Sequence, residues 1–189
     1  MTQPEYSTDA ERAAAIAGYV AGERFPRGDL AALRRMAPGA NPAPAFYRIA
    51  ARFGLFGPPA QEAAWALAIH GIALMTRTTG SDRSAHDPRV PIGRALYRGA
   101  TGGERAVYSE NRLDRLLAAR GATLESLVAR LCRTLAREGV SFDWGEMATF
   151  ILTSGGPRGE IARRRIAFNY DGAEALAEAR STQDKETTA

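Results

Sequence analysis

The chain has 189 residues, with 25 Lys and Arg, 21 Asp and Glu, two His and one Cys, for a formal net charge of +4. That length suffices for one domain or two small lobes sharing a core, and a lone cysteine excludes a disulfide framework and a thiolate metal site. No apolar run reaches the roughly 18 residues of a spanning helix, and the opening MTQPEYSTDAER lacks the features of a secretion signal, so no membrane association and a cytoplasmic location are expected.

Along the chain, helix caps recur and period-two runs of Val, Ile and Thr are nearly absent. Thr8-Asp9-Ala10-Glu11 reads as a capping box that opens a helix toward Ala21, with Gly22 as its stop. Asp29 is placed to cap Leu30 to Ala37, ended by Pro38-Gly39. Pro44 suits a first helical position, with Phe46, Ile49, Ala50 and Phe53 as the apolar stripe behind it. Pro58-Pro59 opens an alanine-rich helix running through Trp65 to Met75. A polar loop over 76–91 follows, long enough to be mobile or functional. Next come a short helix at Ile92 to Arg98 and a glycine-rich turn at Gly99 to Gly103. Ser109, Thr123, Asp143 and Pro157 then open four further helices, the last running through Tyr170. The expected fold is an all-α compact bundle of about eight to nine helices in two lobes. The lobes are assigned to 1–100 and 101–172, with a disordered tail at 173–189.

No catalytic centre is legible. His70 sits on an apolar helix, and His86 beside Asp87 has no second histidine or cysteine at metal spacing. Cys132 lies between leucines and reads as a small buried hydrophobe. The segment Gly155 to Gly159 lacks the lysine and hydroxyl of a phosphate loop, and Asp143 and Glu146 suit a helix start. Nucleophile, base and orienting group do not assemble, so a non-enzymatic chain without metal or cofactor is expected.

The arginines are more informative. Between Arg24 and Arg165 lie 22 of the 24 arginines against only 12 acidic residues, an excess of ten positive charges that points to a polyanionic partner. In the helix after Thr123, Leu124, Leu127, Val128, Leu131 and Leu135 form one stripe. At about 100° per residue, Arg130, Arg133 and Arg137 fall within roughly 60° of one another on a separate face. Arg34-Arg35, the pair Arg48 and Arg52, and a crowd from Arg94 to Arg115 add to the charge. Arg163, Arg164 and Arg165 are consecutive and span about 200° of a helix, so at most two of them can face one ligand.

Several segments recur in a telling order: Gly28 to Arg35 (GDLAALRR), Pro44 to Ile49 (PAFYRI), Ile92 to Leu96 (IGRAL) and Asn111 to Leu117 (NRLDRLL). Asp143-Trp144 and an arginine-rich helix ending in Phe168-Asn169-Tyr170 complete the series. Over about Arg24 to Tyr170 it resembles the CasB family, the small subunit of the type I-E CRISPR surveillance complex Cascade. The resemblance implies an all-helical, non-catalytic protein present in two copies along a crRNA-guided complex. It implies contact with the large subunit and the repeated backbone subunit, and stabilisation of the crRNA–target DNA hybrid and displaced strand. By position it carries over Arg34, Arg35, Arg48, Arg94, Arg112 and Arg133 as nucleic-acid-binding candidates. Arg130 and Arg137 join them from the helix face. The other reading left open is a stand-alone helical nucleic-acid-binding regulator, which needs a helix-turn-helix with a recognition helix. An unrecognised nuclease would need clustered carboxylates for a metal.

Overall fold

Local chemistry places most helix starts where the sequence puts them. In the computed structural model, residues 6, 8–37, 39–78, 84–98 and 106–188 are described, with side chains to residue 179. The helices among them are α1 (Asp9–Ala21), α2 (Arg27–Arg34), α3 (Pro44–Phe53), α4 (Pro59–Met75), α5 (Ile92–Arg98), α6 (Glu110–Ala118), α7 (Gly121–Arg137), α8 (Trp144–Leu152) and α9 (Pro157–Thr188). No strand forms among the described residues. An isolated parallel bridge joins His86 and Phe142.

Thr8 caps α1 by accepting the Glu11 N–H at 3.1 Å, and Asp143 caps α8 by accepting the Gly145 N–H at 2.8 Å. Two starts differ from expectation. Helix α2 opens at Arg27 after Pro26, so Asp29 lies within its first turn instead of capping Leu30. Helix α7 opens at Gly121, ahead of Thr123. There φ is +52°, a left-handed conformation that favours glycine and lets the chain turn sharply out of α6.

The tail also differs from expectation. Helix α9 runs on to Thr188, so the stretch at 173–188 is helical where its polar composition suggests disorder. Ala, Leu, Glu and Arg dominate from Ala173 to Arg180, and these are the best helix formers. Ala173 is buried and Ala177 packs partly against the core, which extends the helix beyond Tyr170.

One apolar cluster runs from Ala13 to Ala173, so both halves of the sequence share a core. Trp65, Trp144, Tyr170, Phe46, Phe142 and Phe150 are its largest fully buried side chains. Helix α4 is buried on nearly every side from Trp65 to Ala73 and packs on α1, α2, α7 and α8. Helix α5 lies on α9, and α1 on α8. The crossing of α5 and α9 depends on Gly93, where a Cβ would sit 2.1 Å from the Ile166 carbonyl oxygen. The boundary drawn between residues 100 and 101, and the glycine-rich turn around it, lie outside the described residues.

The described part of the loop at 76–91 is pinned against the approach to α8. Asp87 N–H donates to Phe142 O at 3.0 Å, Phe142 N–H to Ala85 O at 3.3 Å, and Asp143 N–H to Val90 O at 2.8 Å. His86 Nδ1 accepts the Trp144 N–H at 3.0 Å, which puts any proton of the neutral ring on Nε2. This histidine therefore serves a helix start.

Candidate nucleic-acid interface

The segment leading into α6 is anchored before any arginine appears. Tyr108, 4% exposed, donates its N–H to Leu96 O at 2.9 Å. Its carbonyl accepts the Tyr170 hydroxyl at 2.9 Å. Helix α6 then buries Leu113 and Leu116, which turns Arg112 and Arg115 outward, three residues apart on one face. At its end Arg120 folds back onto the carbonyls of Leu117, Ala118 and Ala119 at 3.1, 3.1 and 2.8 Å. Arg163 Nε donates to Leu117 O at 2.8 Å from α9. With those carbonyls satisfied, α6 closes and the chain returns as α7.

Helix α7 buries Leu124, Val128, Leu131, Cys132 and Leu135. Arg130, Arg133 and Arg137 are exposed on the other side, as the helical spacing requires. Between the two helices lies a groove of about 340 Å³ lined by Tyr108, Leu127 and Thr134 and by five arginines: Arg112, Arg115, Arg130, Arg133 and Arg137. None of the five makes an ion pair or side-chain hydrogen bond among the described residues, and no carboxylate lines the groove. Burial pushes the Tyr108 phenol above its ordinary pKa, while the charges of Arg112, Arg115 and Arg130 act against that rise. The phenol stays neutral as a hydrogen-bonding floor. Five cations with no counterion among the described residues concentrate positive charge in one groove, and a guanidinium can bond two phosphate oxygens at once.

Of the eight sequence candidates, four meet here: Arg112, Arg130, Arg133 and Arg137. The other four do not line the groove. Arg34 donates through Nε to Ala73 O at 2.8 Å and through Nη2 to Thr76 O, tying α2 to the end of α4. Arg48 grips Asp29 with Nε at 3.2 Å and Nη2 at 2.5 Å. Arg35 and Arg94 are exposed elsewhere. The residue missing from the candidate set is Arg115; its i, i+3 relation to Arg112 was the available signal.

The consecutive arginines of α9 serve the fold. Arg163 is 7% exposed, donates to Leu117 O and to Ser154 O at 2.7 Å, and lies 5.4 Å over the Phe150 ring. Arg164 Nε pairs with Glu160 at 3.2 Å. Arg165 Nε lies 3.3 Å from Glu146 Oε1, a charge contact without hydrogen-bond geometry, while Oε2 accepts the Ile92 N–H at 2.8 Å. Burial raises the Glu146 pKa, and the Ile92 bond and Arg165 charge oppose it. Burial pushes the Cys132 thiol up to about 12, so it stays protonated and unreactive at neutral pH. No group of three or more His, Cys, Asp or Glu able to hold a metal occurs among the described residues. None of the described helices is long and apolar enough to cross a membrane.

Comparison with known proteins gives the arrangement its context. No curated protein matches the chain. The crystal structure of CasB from Thermobifida fusca superposes with a TM-score of 0.62 at 20% identity, covering 85% of this chain and 94% of that one. At that identity the likeness shows a shared fold. A family model for CRISPR-associated protein Cse2 matches residues 29–170, about three quarters of the length. The chain therefore belongs to the family of CRISPR-associated protein Cse2, the CasB family that its ordered arginine segments resemble.

Proposed function

We propose that this chain is the non-catalytic small subunit of a type I-E Cascade effector, and that it holds nucleic-acid backbone in the groove between α6 and α7. The observation that carries the reading is the meeting of five arginines with no carboxylate among the lining residues. A groove that reads charge and offers no base-reading motif suits a complex in which the guide RNA reads sequence and protein holds the strands. Its partners on this reading are crRNA and target DNA, the large subunit, the repeated backbone subunit and a second copy of itself, in the cytoplasm.

The energetics fit such a role. Opening a target exchanges a DNA duplex for a hybrid of similar stability, so small contributions decide the balance. A charge-assisted hydrogen bond contributes about 1.5–3 kcal/mol net, and about 1.4 kcal/mol is tenfold in an equilibrium. Two or three arginine–phosphate contacts therefore suffice to shift the opened state by orders of magnitude. Arg35 and Arg94 remain secondary candidates outside the groove. Arg34 and Arg48 already have protein partners, and their first role is in the fold.

The test is a reconstituted effector assembled with and without this subunit, and with Arg112→Glu/Arg133→Glu protein. Permanganate reactivity of the displaced strand reports opening. The reading predicts normal guide loading, a shorter-lived opened target without the subunit, and the same defect with the charge-reversed protein. Equal opening and lifetime in all three assemblies would leave an architectural role in its place.

A further inference from the structure

One concavity in this basic molecule has the opposite chemistry. Between the chain at 36–37 and 39–42, helix α4 and Glu125 of α7 lies a cavity of about 310 Å³. Its charged lining residues are Glu62 and Glu125, with no Lys or Arg among them. Ala66 and Leu67 of α4 supply apolar wall, and His70 lines it from the same helix. His70 is 2% exposed, and its Nδ1 lies 2.8 Å from Leu33 O. A carbonyl can only accept, so that bond assigns the proton to Nδ1 and leaves a lone pair on Nε2. Nε2 is buried without a hydrogen-bond partner. Burial, assisted by the Arg133 charge, lowers the His70 pKa against the opposing Leu33 bond, which keeps the ring neutral.

The charged groups of this cavity are thus acceptors, beside the neutral side chains of Asn41 and Tyr47. Glu62 Oε1 takes the Gly57 N–H at 3.1 Å and leaves its second oxygen. Glu125 makes no ion pair among the described residues. Two carboxylates repel a phosphate, so the nucleic acid suited to the α6–α7 groove is excluded here. A purely apolar guest would desolvate the two carboxylates and leave them unmatched. A cation with an apolar shaft fits both parts of the lining. Guanidinium suits it better than ammonium, because its planar fork presents five donors to separated acceptors and is more weakly hydrated.

We propose that this cavity receives an arginine side chain from a protein partner, with the guanidinium between Glu62 and Glu125 and the methylenes along Ala66 and Leu67. Glu125 lies one turn into α7 and the arginine face lies further along the same helix, about 80–140° around it. One rigid element then presents a polyanion site on one side and a cation site on another. This inference stands independently of the nucleic-acid reading.

The experiment titrates full-length protein with the peptide Gly-Ala-Arg-Ala-Gly, following backbone amide shifts and the His70 imidazole nitrogens. Matched peptides carrying Lys or Glu in the middle, and N-acetyl-arginine amide alone, are the comparators. The expected result is a saturable shift at Gly39, Leu67, Glu125 and His70 Nε2 with the arginine peptide. The lysine peptide should bind at least threefold more weakly, and the glutamate peptide should not shift these positions. The E62Q/E125Q protein should bind the arginine peptide at least tenfold more weakly. Glutamine keeps an oxygen for the Gly57 N–H, and E125Q alone, at a residue with no ion pair among the described residues, provides the control should the double variant lose its fold. A free-protein nitrogen spectrum with the proton on Nε2, a glutamate response equal to arginine, or an unchanged titration in E125Q would overturn the proposal. Equal binding of the lysine peptide would overturn the guanidinium assignment. Tighter binding of free N-acetyl-arginine amide than of the peptide would overturn the protein source.

Discussion

Arg163 and Arg133 show how one residue type serves two ends. Arg163 is buried, satisfies the Leu117 and Ser154 carbonyls and covers Phe150. Arg133 is exposed on α7 with no ion pair among the described residues. Arg163→Ala removes two charge-assisted bonds of about 1.5–3 kcal/mol each and leaves Ser154 O without this donor, while Leu117 O keeps Arg120, so a loss of about 3 kcal/mol is expected. Arg133→Ala should stay within about 0.5 kcal/mol of the parent, as exposed substitutions do, while weakening nucleic-acid binding. Urea unfolding and binding isotherms on the same preparations separate the two; a large stability loss for Arg133→Ala would return that residue to the fold. The sequence could distinguish these arginines only in part. Helical spacing showed that Arg163, Arg164 and Arg165 cannot all face one ligand, and that Arg130, Arg133 and Arg137 can. It could not show that Arg34 reaches carbonyls 39 and 42 positions away, or that Arg48 binds Asp29 from 19 positions away. Such partners are set by packing.

At the scale of elements, caps were legible where a side chain meets its own helix, as at Thr8 and Asp143. They were misread where another force wins. Pro26 starts α2 early and leaves Asp29 to Arg48. Helix formers and a buried Ala173 carry α9 past the point where polar composition suggests an end. The joining of α5 to α9 is tested at Gly93. An added Cβ would meet backbone, 2.1 Å from Ile166 O and 2.8 Å from Tyr170 N, and backbone cannot swing aside as a flexible side chain can. Gly93→Ala should lift α5 from α9 and cost about 3 kcal/mol, the upper part of the range for overpacking. Calorimetric melting checks it, and an unchanged melting temperature would show that the two helices do not press together there. The stake is functional, because Tyr108 hangs from Leu96 on α5 and from Tyr170 on α9 and forms the groove floor.

Over the whole molecule, the all-α class and the family were legible because ordered segments such as GDLAALRR, IGRAL and NRLDRLL span most of the chain. The excess of ten positive charges was legible too, but its concentration was not. Arg112 and Arg115 join Arg130, Arg133 and Arg137 only because the turn at Gly121 lays α7 back against α6. The central claim is that this groove, and not diffuse charge, engages the nucleic-acid backbone. The most direct measurement is the slope of log binding constant against log salt for single-stranded DNA, compared between the parent and a protein with Gln at 112, 115, 130, 133 and 137. Each phosphate contact contributes roughly 0.7 to that slope on a single strand. With five arginines engaged, the parent should fall steeply with salt, and the variant should lose about 3 from the slope magnitude while melting like the parent. A variant that keeps the parent's slope would contradict the account and return the binding to charge spread over the surface.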